Sequence, residues 1–479
     1  MGKALKVLIA GAECTPFAKT GGLADVIGTL PGCLKKLGAD VRVILPFHRQ
    51  IKEQYDSEAK GIAEFTVSLG WRNQYAGLRE LKRDGITYYF VDNEYYFGGP
   101  IYKGGEAEIE QYAYFCRAVL EALEPIGFLP EVLHCNDWHT ALLPMLIKAQ
   151  YGERPQGAVK TLFTIHNIMY QGQCSFAFLR DLLGLPDWLY TPEYLEAYGC
   201  ANFMKAGLVF ADRLSTVSPS YAQELRHTYF AHGLEGILQA RGDDLIGIVN
   251  GIDTQEFDPA HDPLIAALYT AKAPEGKQQC KEALLHRLGL TAPAGTPLIG
   301  MVTRLTAQKG IDLVLRVFHE MLAEDCMFVL LGTGEPGYEQ CFRELEQRYR
   351  GRVCSYIGYD NALAHQIYAG ADLFLMPSKF EPCGISQMIA LRYGALPIVR
   401  ETGGLRDTVE PYNAAAGTGN GFSFTNFNAH DMLHVIRYAL DTIRDPEARQ
   451  LLLTHAMAAD HAFIRSAEAY LACYRGLIQ

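Results

Sequence analysis

Two glycine-rich segments follow strand-like apolar runs and have the composition of phosphate-binding turns. Paired glycines let the backbone approach an anion, amides at the start of a helix point towards it, and lysine adds positive charge. A single glycine pair would favour an ordinary tight turn. Two pairs, with Arg304 and Lys309 after another predicted strand, favour a phosphate or diphosphate ligand in a chain of net charge −11. The segments are Lys19-Thr20-Gly21-Gly22 and Thr402-Gly403-Gly404.

A third glycine-rich segment, residues 332–337, matches the G-x-G-x-x-G pattern of dinucleotide-binding turns. That pattern normally belongs to the first βαβ unit of its domain, and here the first unit carries Arg304 and Lys309 instead. Two interpretations stay open. In the first, the backbone near Gly334 approaches a ribose or base of the ligand; in the second, the segment is a plain strand-to-helix turn.

Carboxylate and imidazole groups follow several other predicted strands. Glu381 has the chemistry to accept hydrogen bonds from sugar hydroxyls, or to complement the start of a helix. Asp137 and His139 are spaced as an acid/base pair, but Asp137 is equally suited to cap the helix that begins near Trp138. For His166, which follows an apolar strand, a structural role is the default in isolation. Spacing decides none of these alternatives.

Composition excludes several classes of protein. The 12 cysteines contain no C-x-x-C pair, and the chain has no D-x-D, no H-E-x-x-H and no G-x-x-x-x-G-K-[ST] motif. We therefore expect no metal ion, no organic cofactor and no P-loop NTPase. No basic run suits nucleic acid or an anionic membrane, so neither is an expected partner. The chain shows no secretory segment and no apolar stretch of ~20 residues, which favours a cytoplasmic location.

Short apolar runs alternate with helical patterns along the chain, which predicts an α/β protein with two Rossmann-like, doubly wound domains. We place the domains at 1–250 and 251–479, with 456–479 a terminal helix that caps its own domain or packs back on the first. Ligands of such sheets bind beyond the carboxyl ends of the strands, so the polar clusters predict two sheet edges that face a cleft. The predicted strands are 7–10, 41–45, 87–91, 132–134, 161–165, 214–217, 246–249, 298–302, 328–331, 353–357, 373–376 and 397–399.

Seven long motifs in order along the chain resemble those of bacterial glycogen synthases and plant starch synthases. The resemblance covers essentially the whole chain, with family-like spacing. The motifs are Glu13-x-x-Pro16-Phe17-x-Lys19-x-Gly21-Gly22-Leu23-Ala24-Asp25-Val26, Cys135-Asn136-Asp137-Trp138-His139-Thr140, Thr164-Ile165-His166-Asn167-Ile168-x-Tyr170-Gln171-Gly172, Asn202-Phe203-Met204-Lys205-x-Gly207, Arg304-Leu305-Thr306-x-Gln308-Lys309-Gly310, Ser378-x-Phe380-Glu381-Pro382-Cys383-Gly384 and Gly403-Gly404-Leu405-x-Asp407-Thr408-Val409.

The resemblance implies a GT-B glycosyltransferase that moves glucose from ADP-glucose to the non-reducing 4-hydroxyl of an α-1,4-glucan with retention. It implies that Lys19, Arg304 and Lys309 hold the diphosphate and that Glu381 binds the glucose hydroxyls. It also implies that His166 lies beside the anomeric carbon and that Tyr359 lies against the adenine. The catalytic residues it implies are Lys19, His166, Arg304, Lys309 and Glu381. The substrate-binding residues it implies are Gly21, Gly22, Asp25, Asp137, Asn167, Asn250, Gly334, Tyr359, Cys383, Gly384, Thr402, Gly403 and Gly404.

Two alternatives to this function differ in what they require. A related transferase would use UDP-glucose or another acceptor at the same charged site. A non-catalytic glucan-binding regulator on the same scaffold would be expected to lose that site, whereas Lys19, Arg304, Lys309 and Glu381 are all present. The family would act in the cytoplasm, or in the plastid for a plant form, although this chain has no transit peptide. The oligomeric state stays undetermined.

Overall fold

The computed structural model describes residues 4–479, which form two compact units. The first unit contains the chain up to Asn250 together with Phe463–Gln479, and the second is Gly251–Ala462. Each of the twelve predicted strands overlaps a strand of the structure. No helix among residues 4–479 is long and apolar enough to cross a membrane.

The first unit is built on a nine-stranded sheet in the order β12-β11-β7-β6-β1-β2-β5-β4-β3. Its central strands are parallel and almost entirely buried, because helices cover both faces and most of the strand residues are apolar, with His134 and Asn136 as buried polar residues of β6. The strands are β1 (Lys6–Ala10), β2 (Asp40–Pro46), β3 (Lys60–Leu69), β4 (Arg72–Arg83), β5 (Ile86–Asp92), β6 (Val132–Asn136), β7 (Lys160–Ile165), β8 (Gln173–Cys174), β9 (Glu196–Ala197), β10 (Cys200–Asn202), β11 (Arg213–Thr216) and β12 (Leu245–Gly247).

Helices connect these strands, and a small sheet of β8, β10 and β9 follows β7. The first helix begins at Gly22, the second residue of the first glycine pair. The helices are α1 (Gly22–Lys36), α2 (Arg49–Tyr55), α3 (Glu94–Phe97), α4 (Gly105–Ala122), α5 (Leu142–Gln150), α6 (Phe176–Leu183), α7 (Phe203–Phe210), α8 (Pro219–Glu224), α9 (Thr228–Ala231) and α10 (Glu235–Ala240), with 3₁₀ turns at Trp138–Thr140, Pro155–Ala158 and Asp187–Leu189.

The antiparallel hairpin β3–β4 was not predicted and makes the first sheet mixed rather than purely parallel. The two strands pair from Leu69–Arg72 outward across the two-residue turn Gly70-Trp71, and β4 also pairs antiparallel with β5. The hairpin extends one edge of the sheet, three strands away from β1.

The second unit has a six-stranded, wholly parallel sheet in the order β15-β14-β13-β16-β17-β18. The direction of winding reverses at β13, so the loops after β13 and β16 lie side by side, which is where such sheets bind ligands. The strands are β13 (Leu298–Val302), β14 (Met327–Gly332), β15 (Val353–Ile357), β16 (Leu373–Met376), β17 (Leu396–Arg400) and β18 (Phe422–Phe424). The helices are α11 (Glu275–Leu288), α12 (Ile311–Leu322), α13 (Pro336–Arg348), α14 (Asn361–Gly370), α15 (Ser386–Arg392), α16 (Gly403–Thr408), α17 (Ala429–Arg444) and α18 (Pro446–Ala458), with a 3₁₀ turn at Ala307–Lys309.

The terminal helix α19 (Phe463–Ile478) belongs to the first unit, which is the second of the two placements considered for it, a helix that packs back on the first domain. It also begins at Phe463 rather than near 456, because α18 ends at Ala458. Phe463, Ala467, Tyr470 and Tyr474 repeat at helical spacing and are buried in the core that contains β1, β2 and α1. Burial of this apolar stripe is the physical reason why the helix packs on the first unit.

Candidate functional site

Lys309 and Glu381 meet at the carboxyl edge of the second sheet. Lys309 Nζ lies 2.5 Å from Glu381 Oε2, and Ser378 Oγ donates to the same oxygen at 2.9 Å. The two charged side chains are only 15% and 9% exposed. Glu381 makes no hydrogen bond to an amide of α15 among the described residues, so its carboxylate does not act as a helix cap. The carboxylate is instead neutralised and fixed in orientation.

Arg304 follows the same strand as Lys309, β13, and adds a second cation to this edge of the sheet. Its side chain is exposed and makes no hydrogen bond or ion pair with residues 4–479. A guanidinium with five unused donors is suited to bind a phosphate in a bidentate manner. The edge of this sheet therefore offers one neutralised carboxylate and one cation available to an anion.

The second glycine pair allows the start of α16 to lie directly against the loop that carries Glu381. Gly403 has a φ of +44°, and a side chain there would overlap the carbonyl oxygen of Glu381. A side chain on Gly404 would overlap the carbonyl oxygen of Cys383, and the Gly404 amide donates to the Glu381 carbonyl at 3.2 Å. Thr402, which precedes the pair, is buried. Only glycine fits these two positions.

The turn at Cys383 and Gly384 is held by a residue that the sequence analysis did not select. Gly384 has a φ of +73°, and Gln387 Nε2 donates to the carbonyls of Cys383 and Gly384 at 3.1 and 3.0 Å. Gln387 also donates to Thr408 Oγ1 at 3.0 Å, which joins α15 to α16. The position of Gln387, about one helical turn after the Glu381 loop, is the sequence feature that could have identified it.

The amide of Gly334 is occupied within the protein itself. Glu339 Oε1 accepts from the Gly334 amide at 3.0 Å and from Thr333 Oγ1 at 2.7 Å, and these donors hold the pKa of Glu339 below its usual value. A side chain on Gly334 would overlap the Leu305 carbonyl. A dinucleotide phosphate at this amide would have to displace a carboxylate, which disfavours the dinucleotide interpretation. Approach of the Gly334 backbone to a ribose or base stays a prediction.

Tyr359 is the exposed aromatic residue of this sheet edge. It follows β15, and 80% of its surface is accessible. The ring can therefore stack on a planar group, although no described residue orders it for that purpose.

In the first unit, the amides that precede α1 are already bound to a buried carboxylate. Glu13 Oε2 accepts from the Thr20 amide at 2.5 Å, from Thr20 Oγ1 at 2.7 Å and from the Gly21 amide at 3.3 Å. Burial raises the pKa of Glu13. Gly21 has an extended backbone, with a φ of −153°, so a left-handed conformation is not what this position requires.

Lys19 and Asp25 form an ion pair at the start of α1. The distance between Lys19 Nζ and Asp25 Oδ1 is 2.7 Å, and both side chains are partly exposed. Burial raises the pKa of Asp25, against the opposing effect of Lys19. Gly22, which follows Gly21 in the chain, is the first residue of α1. Lys19, Gly21, Gly22 and Asp25 are therefore neighbours, as predicted, but Glu13 was missed even though it stands in the same motif.

Asp137 orients the loop after β7 and does not cap a helix. Its Oδ1 accepts from the amides of His166 and Asn167 at 2.7 and 3.2 Å, and its side chain makes no cap bond to the 3₁₀ turn that follows. Asp137 has a φ of +55°, which is rare for a residue with a side chain. Burial raises the pKa of Asp137 to about 7.

Asp137 and His139 do not form the acid/base pair that their spacing suggested. His139 lies in an aromatic cluster with Tyr102, Tyr112 and Trp138, and burial lowers its pKa to about 3. The Asp137 carboxylate is directed to the backbone of residues 166 and 167 instead. A neutral histidine among aromatic rings has a packing role.

His166 is held by Asn136, which the sequence analysis quoted only as part of a motif. His166 Nε2 lies 2.9 Å from Asn136 Oδ1, and burial lowers the pKa of His166 to about 3. Asn167 Oδ1 accepts from the Met169 amide at 3.1 Å and so shapes the same loop. Asn250 is buried at the end of the first unit's main segment.

Among residues 4–479, no group of three or more His, Cys, Asp and Glu side chains is arranged to hold a metal ion.

Comparison with known proteins identifies two family models along the chain. The model of the starch synthase catalytic domain matches residues 6–240, and the model of glycosyl transferases group 1 matches residues 286–450. The glycogen synthases of Geobacillus thermodenitrificans (strain NG80-2) and Geobacillus stearothermophilus are each 52% identical over 476 residues, which is 99% of this chain and 98% of theirs.

A solved structure agrees with these matches. The catalytic domain of starch synthase IV from Arabidopsis thaliana, bound to ADP and acarbose, superposes with a TM-score of 0.92 at 33% identity. The superposition covers 99% of this chain and 100% of that one. The chain therefore belongs to the glycogen synthase and starch synthase family of two-domain, GT-B glycosyltransferases.

Proposed function

We propose that this glycosyltransferase moves glucose from ADP-glucose to the non-reducing 4-hydroxyl of an α-1,4-glucan, with retention of the anomeric configuration. The observation that carries the proposal is the buried Lys309–Glu381 pair beside the unpaired cation Arg304. That arrangement suits a ligand with sugar hydroxyls at one end and a diphosphate at the other. The starch synthase relative is bound to ADP and to acarbose, which supports the choice of adenine nucleotide and glucan.

The cations favour departure of the nucleoside diphosphate. As the bond between glucose C1 and the phosphate oxygen breaks, positive charge grows on the sugar and negative charge grows on the diphosphate. Fixed cations at Arg304 and Lys309 then bind the transition state more strongly than the substrate, which is the condition for catalysis. In the first unit, we propose that Lys19 exchanges its Asp25 partner for a donor phosphate oxygen.

Glu381 binds the donor glucose and is not a covalent nucleophile. Retaining glycosidases use a free carboxylate beneath the sugar. The Glu381 carboxylate instead accepts from Lys309 and Ser378 and is mostly buried, so its charge is already neutralised. A front-face reaction follows, in which the acceptor oxygen bonds to C1 as the diphosphate leaves, and the departing phosphate oxygen takes the acceptor's proton.

The remaining predicted contacts are assigned on the same basis. Tyr359 stacks on the adenine, and Cys383 and Gly384 frame the glucose. Gly403 and Gly404 bring α16 close to the donor, and Asp137 and Asn250 lie on the acceptor side. We propose that the reaction needs no metal ion or organic cofactor, and that the enzyme works in the cytoplasm without a nucleic-acid or membrane partner.

The test is a comparison of donors with glycogen as the acceptor. ADP-glucose and UDP-glucose labelled in the glucose are supplied separately, and the label in precipitated glycogen is measured over time. The labelled product is then digested with an exo-enzyme specific for α-1,4 linkages. We expect kcat/KM to favour ADP-glucose and the digestion to release the label. A preference for UDP-glucose, or label resistant to that digestion, would contradict the proposal.

A further inference from the structure

The side chain of Asn136 contacts His166, and this contact determines which nitrogen of the imidazole carries its proton. We propose that Asn136 is a positioning residue that fixes His166 as the Nε2–H tautomer, so that Nδ1 accepts a hydrogen bond from a sugar hydroxyl. The identity of that ligand rests on the proposed function; the tautomer does not.

The orientation of the Asn136 amide follows from two carbonyl groups. Asn136 Nδ2 donates to the carbonyls of Ala10 and His134 at 3.0 and 3.3 Å. The opposite orientation would direct Oδ1 at both carbonyl oxygens and lose both bonds. The amide oxygen therefore faces His166, where Nε2 lies 2.9 Å away.

An amide oxygen only accepts hydrogen bonds, so Nε2 of His166 must be the donor. Burial lowers the pKa of His166 to about 3, which leaves one proton on the ring at neutral pH, while part of the residue stays accessible to a ligand. That proton is on Nε2. Nδ1 consequently has a lone pair, and among residues 4–479 the only hydrogen bond of the His166 ring is the one at Nε2.

The backbone of His166 is fixed as firmly as its ring. Asp137 Oδ1 accepts from the His166 and Asn167 amides, and Asp137 follows Asn136 directly in the chain. Two consecutive residues at the end of β6 thus hold the first residue after β7 at its amide and at its Nε2. The position of Nδ1 is set by these contacts before any ligand arrives.

The proton arrangement selects the chemistry of the ligand. Phosphate oxygens accept hydrogen bonds and would be repelled by the lone pair of Nδ1. Hydroxyl groups donate, and a glucose unit is rich in them. His166 is therefore suited to orient a sugar and unsuited to bind the diphosphate or to donate a proton to it.

The direct test is nitrogen NMR of the enzyme labelled with ¹⁵N-histidine, with the His166 signals assigned by their loss in His166→Gln. We expect Nε2 protonated and Nδ1 unprotonated across pH 6 to 8. Maltoheptaose or ADP-glucose should shift the Nδ1 signal, and inorganic pyrophosphate should not. A proton on Nδ1, or a doubly protonated ring, in the wild-type protein would overturn the proposal without any variant.

Variants then separate positioning from folding. Asn136→Ala should give a mixture of tautomers and lower kcat about tenfold, the scale of one hydrogen bond, with a smaller change in the donor KM. Thr140→Val is the matched control, because Thr140 Oγ1 bonds only to the backbone of residues 136 and 137. It should retain the Nε2–H tautomer even if its melting temperature falls.

The positioning contact between Asn136 and His166 can be refuted separately from the proposed function. If Asn136→Ala keeps a pure Nε2–H signal, Asn136 does not position His166. If the tautomer is as expected but no glucose is incorporated from any donor, the positioning contact stands and the proposed function fails. A response of Nδ1 to pyrophosphate alone would overturn the assignment of a sugar hydroxyl as the ligand.

Discussion

Replacing Lys309 by methionine separates the structural contribution of the Lys309–Glu381 pair from its catalytic one. Methionine retains much of the lysine stem but leaves the Glu381 carboxylate buried, with Ser378 Oγ as its remaining hydrogen-bond donor among the described side chains. Adding Glu381→Gln removes the unpaired charge. The double variant should therefore regain stability without regaining activity.

The expected magnitude follows from the burial of both partners, which are 15% and 9% exposed. Removing one partner of a buried pair costs ~3–5 kcal/mol, whereas replacing both is close to neutral. For a folding unit of this size, at roughly 2–4 °C per kcal/mol, the single variant should melt about 6–20 °C lower. The double variant should melt within a few degrees of the wild type.

The assay is thermal unfolding of the wild type, Lys309→Met, Glu381→Gln and the double variant, alongside glucose incorporation. Lys272→Met serves as the control, since Lys272 is an exposed lysine of the same unit. A Lys309→Met protein as stable as the wild type would refute the reasoning from a buried pair. Recovery of activity in the double variant would refute the catalytic assignment.

Four further predictions follow from the site. Arg304→Ala should lower kcat ~10²–10³-fold, as loss of a transition-state donor does, while Arg350→Ala, at another exposed arginine, should not. Asp137→Asn should flatten the dependence of melting temperature on pH. Burial raises the pKa of Asp137 from 3.8 to about 7, so the protonated side chain contributes up to ~4 kcal/mol to the free energy of unfolding below pH 3.8. This contribution is lost as the pH rises through about 7, and the variant has no such group to titrate. Tyr359→Ala should raise the KM for ADP-glucose about tenfold with little change in kcat, the scale of one stacked base. Dialysis against EDTA should leave the rate of glucose incorporation unchanged.

Each of these predictions has a contradicting outcome. Equal losses in Arg304→Ala and Arg350→Ala would indicate a general charge effect. A melting temperature of Asp137→Asn that falls in parallel with the wild type would remove Asp137 as the cause. A lower kcat at unchanged KM in Tyr359→Ala would exclude adenine stacking, and a metal-restorable loss after EDTA would contradict a metal-free reaction.

The strands could be predicted from the sequence wherever they are buried on both faces. β1 and β13 are largely apolar runs, β6 is apolar apart from His134 and Asn136, and each appears where it was expected. The hairpin β3–β4 was missed because it lies at a sheet edge and is half exposed. Its signal was alternation, with Phe65, Val67 and Leu69 separated by polar residues, and not a continuous run.

The residues of the candidate site could be selected from the sequence, but the contacts between them could not be predicted. Lys309 and Glu381 are 72 positions apart and meet because β13 and β16 are neighbours in the sheet. Sequence order alone does not give that adjacency. For Asp137 the sequence left two roles open, and its contact with the amides of residues 166 and 167, which are distant in the chain, corresponds to neither.

The two glycine pairs looked alike in the sequence and differ in the structure. Gly403 and Gly404 are required by close contact with the carbonyls of residues 381 and 383. At Gly21, the amide is instead bound by Glu13, which stands eight positions earlier in the same motif, and the motif does not by itself reveal that contact. The groups that contact each glycine pair therefore could not be predicted from the pattern.

The central claim is that the charged edge of the second sheet transfers glucose from ADP-glucose to a glucan. The most direct measurement is incorporation of labelled glucose into glycogen by the wild type and by the stable Lys309→Met/Glu381→Gln variant. The account predicts sustained incorporation by the wild type and a loss of at least about 10³-fold in the variant at unchanged melting temperature. Comparable incorporation by both proteins, or none by the folded wild type, would contradict it.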